Sequence, residues 1–68
     1  MTLKEYIEEL NKLVKQNPKI LELPVIYSAD DEGNHYQMVH YTPTLGTFDD
    51  FDGEWEAETV NPNAVCIN

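Results

Sequence analysis

The stretch at residues 23–41, LPVIYSADDEGNHYQMVHY, constrains the fold more than any other part of the chain. Pro24 to Ser28 is a β-branched and aromatic run, and Asp30-Asp31-Glu32-Gly33-Asn34 breaks it. The chain then alternates, with His35, Gln37, Val39 and Tyr41 on one face and Tyr36, Met38 and His40 on the other. Two strands, at about residues 25–28 and 35–41, joined by an acidic turn, are therefore expected.

The segment before this hairpin is helical. Thr2-Leu3-Lys4-Glu5 is a T-x-x-E capping box. Leu3, Ile7, Leu10 and Val14 follow at helical spacing, and Tyr6 and Leu13 widen the stripe. Glu8 and Lys12 form a favourable i,i+4 pair. Asn17-Pro18 ends the helix, because a residue before proline avoids the α region. A helix over about residues 2–17 follows, with Ile20, Leu21 and Leu23 expected to tuck beneath it.

After the hairpin, Thr42-Pro43-Thr44 is a break, since proline cannot donate to a ladder. Residues 45–48 can form a short third strand, and Asp52-Gly53 between Phe51 and Trp55 is a hairpin signal. Asn61-Pro62-Asn63 is a second break. Residues 64–67 are uncharged on both faces, which suggests a central strand. The expected fold class is α+β: an N-terminal amphipathic helix packed on a small antiparallel sheet of 3–4 strands, in one domain spanning residues 1–68.

Charge narrows the partners. Thirteen acidic side chains face four basic ones, for a formal net charge of -9. The basic residues are Lys4, Lys12, Lys15 and Lys19, and none follows. Direct nucleic-acid binding and anionic membranes are disfavoured, because both require cationic neutralisation. A basic protein surface would be attracted. A chain of 68 residues builds a thin core, so homo-oligomer formation is expected as the remedy. The single cysteine, Cys66, lies in an apolar run and reads as a buried structural thiol in a reducing compartment. No signal peptide or bilayer-spanning window is evident, so a cytoplasmic setting is expected.

Catalytic signatures are thin. The acidic turn at residues 30–34 fails as a calcium loop, because His35 and Tyr41 stand where glycine and the closing glutamate belong. Asp, Gly and Asn in such a turn more often serve its backbone geometry. His35 and His40 fall on opposite strand faces and do not share a metal. Cys66 has no base beside it, Ser28 lacks a nucleophile elbow, and no phosphate-cradling glycine loop exists. Neither an enzyme nor a cofactor is expected.

The aromatic set offers more. Tyr27, Tyr36, Tyr41, Phe48, Phe51 and Trp55 are interleaved with Asp, Asn, Gln and His. Rings stack on bases, and carboxylates and amides bond ribose and base edges. Filling a small core accounts for any single ring equally well. Trp55, between Glu54 and Glu56, is the ring least suited to a core and the best interface anchor.

The capped helix, PVIYSADDEGNHYQMVHY, the Thr42-Pro43-Thr44-Leu45-Gly46 segment and the terminal NAVCIN resemble a family of small acidic tailed-bacteriophage proteins without an assigned activity. The resemblance brings no catalytic residue. It implies expression in the bacterial host cytoplasm, where short phage proteins often counter host defence by sequestering a nucleotide signal or plugging a host protein.

Three functions are therefore carried forward, the third a small structural or accessory phage protein. In the first, a non-catalytic counter-defence protein sequesters a small nucleotide-like ligand between subunits. The base stacks on Tyr36, Tyr41 or Trp55, and Asp31, Asn34 and His35 form hydrogen bonds. In the second, the chain is an acidic protein inhibitor, a candidate DNA mimic, whose carboxylates occupy a basic surface of a host protein.

Overall fold

The computed structural model describes residues 1–67. Its elements run α1 (Leu3–Gln16), a 3-10 helix (Pro18–Glu22), β1 (Ile26–Ser28), β2 (Tyr36–Met38), β3 (Thr44–Asp49), β4 (Glu54–Ala57) and β5 (Ala64–Cys66). The chain is α+β, as expected. Its strands form two antiparallel sheets instead of one: β1-β2, and β4-β3-β5. The contacts divide it into two units, residues 1–38 and 39–68. Among the described residues, no hydrophobic side chain is buried.

In residues 1–38, Thr2 caps α1 by accepting the Glu5 N–H at 3.2 Å. Its hydroxyl also donates to Glu5 Oε1 at 3.2 Å, so the capping box closes between the two side chains. The Asn17 N–H donates to the Leu13 carbonyl at 3.0 Å, and Pro18 then opens the 3-10 helix. Lys12 bonds Glu9 at 2.9 Å, one residue away from the expected Glu8 partner. Spacings of three and four residues both bring helix side chains together. Ile20 is half-buried, but Leu21 and Leu23 are 68% and 63% exposed, so of the three residues expected to tuck beneath the helix only Ile20 is covered.

The first hairpin is shorter than its alternation suggests. Ile26 pairs with Met38, Tyr27 with Gln37 and Ser28 with Tyr36. Continuing that register would place Val25 and then Pro24 against Val39 and His40. Proline has no N–H to give opposite His40, and β1 begins only at Ile26; Val39, His40 and Tyr41 lie outside β2.

In residues 39–68, β3 is central and β5 is an edge strand, contrary to the expectation from its uncharged faces. A short strand can lack charge simply because one of its faces is half-buried, and all three β5 residues are. Cys66 is accordingly half-buried, not buried. Gly46 pairs with Ala57 on one side and Ala64 on the other; Phe48 pairs with Trp55, and Asp49 with Glu54. Alternation then puts Thr44, Gly46, Phe48, Trp55, Ala57, Ala64 and Cys66 on one face. Leu45, Thr47, Asp49, Glu54, Glu56 and Val65 share the other.

The Asp52-Gly53 signal is fulfilled. Residues 50–53 join β3 to β4, with Gly53 at φ +74° and its N–H donating to the Asp49 carbonyl at 2.8 Å. Asp49 Oδ1 accepts the Phe51 N–H at 2.9 Å, and Asp52 Oδ1 accepts the Glu54 N–H at 3.1 Å. Two of the loop's carboxylates are thus occupied in shaping it.

Candidate functional site

Four of the six expected ligand-binding residues, Asp31, Asn34, His35 and Tyr36, lie together in or just after the β1–β2 turn. Tyr41 and Trp55 belong to residues 39–68, a different unit.

The β1–β2 turn is held by its own polar groups. The Ala29 N–H donates to the His35 carbonyl at 2.7 Å, and the Ser28 hydroxyl to the Asp30 carbonyl at 2.7 Å. Asp30 Oδ1 accepts the Asn34 N–H at 2.9 Å, and Asn34 Nδ2 donates to Glu32 Oε2 at 3.0 Å. The Asn34 side chain therefore helps stabilise the loop with one of its two amide N–H groups. His35 Nε2 lies 3.4 Å from Gln37 Nε2, and Gln37 Oε1 accepts the Tyr27 hydroxyl at 2.8 Å. This Tyr27-Gln37-His35 row confirms that His35 and Gln37 share a face. Tyr36 and Asp31 are exposed, and the Tyr36 hydroxyl sits 3.2 Å from where a Cβ on Gly33 would stand.

The second group, on the β4-β3-β5 sheet, is built more tightly. A Cβ on Gly46 would lie 2.6 and 2.7 Å from two Trp55 ring carbons and would also collide with the Glu56 carbonyl. The indole therefore rests on the bare backbone of Gly46, which is buried. No other residue type permits that approach. Phe48, directly opposite Trp55 in the register, completes an aromatic pair on this face. Phe48 and Trp55 remain 42% and 37% exposed.

The backbone beneath this pair is clamped. Asn63 Oδ1 accepts the Phe48 N–H at 2.8 Å, and its Nδ2 donates to the Phe48 carbonyl at 3.1 Å. The side-chain amide acts as one more rung beyond β5. Glu58 ends β4 in the left-handed region, at φ +58°, with its N–H on the Leu45 carbonyl at 2.8 Å. Thr47 and Thr59 share a hydroxyl hydrogen bond of 2.6 Å beside it.

On the carboxylate-bearing side, Thr47, Asp49, Glu54, Trp55 and Glu56 line a groove of about 150 Å³. Small-molecule pockets run to roughly 300–1,000 Å³. A groove of this size edged by three carboxylates suits neither the volume nor the charge of a phosphate-bearing ligand. Among the described residues, no group of three His, Cys, Asp or Glu side chains is placed to hold a metal ion. No helix among them is long and apolar enough to cross a membrane.

Sequence reasoning found Trp55 but missed its supports, Gly46 and Asn63. The signal for Gly46 was present: a lone glycine inside the run Leu45-Gly46-Thr47-Phe48 marks a close approach. Asn63, two residues past Asn61 and directly after Pro62, looks like any other turn asparagine, and nothing local reveals its reach to Phe48. Comparison with family models, curated proteins and solved structures finds no match.

Proposed function

We propose that this chain is a non-catalytic binding protein whose β4-β3-β5 sheet grips a protein partner of basic charge through an apolar contact. The observation that carries this reading is the Trp55 indole, seated on Gly46 beside Phe48 and still partly open to solvent. Interface hot spots favour such an anchored aromatic ring. The same segment, residues 39–68, holds Asp49, Asp50, Asp52, Glu54, Glu56 and Glu58 and no Lys or Arg. Its charge would speed encounter with a basic surface and repel acidic ones. The resemblance to phage proteins suggests a host protein as the partner, and the bound chain would act by occupying that protein's surface.

Sequestration of a nucleotide-derived signal is the second reading. The exposed Tyr36 ring of the β1–β2 hairpin favours it, as a stacking surface. The lack of any Lys or Arg after Lys19 counts against it, since a phosphate-bearing ligand calls for cationic neutralisation.

Affinity capture from bacterial host lysate, at low and at high salt, separates the two. The protein reading expects a specific polypeptide retained at low salt, lost at high salt, and not retained by Phe48→Ala/Trp55→Ala. Retention that ignores both salt and the double substitution contradicts it. A thermal-shift panel of cyclic dinucleotides and ADP-ribose derivatives gives the nucleotide reading its own test, and a flat response across the panel removes that reading.

A further inference from the structure

The apolar stripe of α1 calls for its own occupant. Leu3, Ile7, Leu10 and Leu13 are 49%, 48%, 45% and 54% exposed. This is not a scatter of single exposed residues. Leu3, Ile7, Leu10 and Val14 alternate spacings of four and three, the period of a helix seam, with β-branched residues interleaved with leucines. About 21 Å of helix presents that seam.

Charge selects what can cover it. The chain as a whole carries -9, so most of its surface repels a second copy. Helix α1 is the exception. Leu3–Gln16 contains Lys4, Lys12 and Lys15 against Glu5, Glu8 and Glu9, and is formally neutral. It is also polarised along its length. Glu5, Glu8 and Glu9 make the first half acidic despite Lys4, and Lys12 and Lys15 make the second half basic. Two such helices side by side in opposite directions set acid against base at both ends and oppose their dipoles. Set parallel, they place acid beside acid and base beside base.

We propose that α1 pairs antiparallel with the α1 of a second copy, across a twofold axis, through Leu3, Ile7, Leu10 and Leu13. The twofold makes the contact self-complementary, with each acidic half meeting a basic one. The pairing is short, so the dimer forms in a concentration-dependent equilibrium and is not obligate. It holds whether or not the proposed partner reading is right.

The test combines mass and orientation. Sedimentation equilibrium of the intact protein should show monomer passing to dimer as concentration rises. Ile7→Glu/Leu10→Glu should remain monomeric over the same range while circular dichroism retains the helix. If that variant loses its helix, cross-linking decides. In a Cys66→Ser background, Leu3→Cys and Leu13→Cys proteins are oxidised separately and mixed. Antiparallel pairing gives mainly the mixed Leu3→Cys to Leu13→Cys disulfide. Dominant self-cross-links of each variant indicate parallel pairing and overturn the proposal. So does a protein that stays monomeric throughout and yields no cross-link, since its own chain would then be what covers the stripe.

Discussion

The two hairpins of this chain differ in what shapes them. The β1–β2 hairpin has three paired positions joined by seven residues, 29–35, with no third strand beside it. Its order depends on side-chain bonds among exposed residues: Ser28, Asp30, Glu32 and Asn34. The β3–β4 hairpin has four paired positions joined by four residues, and β5 lies along its other side. There a buried glycine, an indole and a side-chain amide hold the strands. Exposed hydrogen bonds compete with water and contribute little, whereas the close approach over Gly46 can be made in only one geometry. The second hairpin is therefore the one able to present a fixed surface.

The most severe way to break this contrast is Gly46→Val. Its Cβ would meet the Trp55 ring and the Glu56 carbonyl, neither of which is the loose end of a flexible chain. A loss of at least ~3 kcal/mol is expected, read as a lower denaturation midpoint and a collapse of the near-ultraviolet signal of Trp55. Asn63→Ala removes both bonds to Phe48 and should cost about 1–2 kcal/mol, whereas Asn34→Ala in the first hairpin should cost no more than about 0.5 kcal/mol. Equal losses in denaturant titration would erase the distinction between the hairpins. Glu58→Gly should raise stability by about 0.5–1 kcal/mol, because glycine occupies the left-handed region without strain. A fall in the melting temperature would show that the Glu58 side chain does more than end β4. The smallest effect belongs to Lys12→Ala. Its bond to Glu9 is exposed and should contribute less than about 0.5 kcal/mol, so helical circular dichroism should hardly change.

The same contrast explains what could be read from the residues alone. Helix α1 was legible nearly to the residue, because the Thr2 cap, the periodic stripe and Asn17-Pro18 are all local signals. The Asp52-Gly53 signal was legible too, but its acidic flanks left hairpin and loop both open. The division into two sheets was not, because pairing depends on which strands meet, and alternation says nothing about that. The length of β2 was overestimated because a strand extends only as far as its partner, and β1 begins at Ile26. The central place of β3 was hidden by a glycine that lowers its strand propensity while making room for Trp55. At the candidate site, Trp55 was legible by its odd position between two glutamates. Asn34 also serves its own loop through its bond to Glu32, a role that turn asparagines commonly fill.

The most direct measurement of the central claim uses the chain's single tryptophan, Trp55. Its emission should be followed while the captured host protein, or in a parallel titration a cyclic dinucleotide, is added. Burial of the indole by the protein predicts a shift to shorter wavelength that saturates, weakens as salt rises, and does not occur with the dinucleotide. An emission spectrum unmoved by the bound protein, or moved only by the nucleotide, would contradict the account.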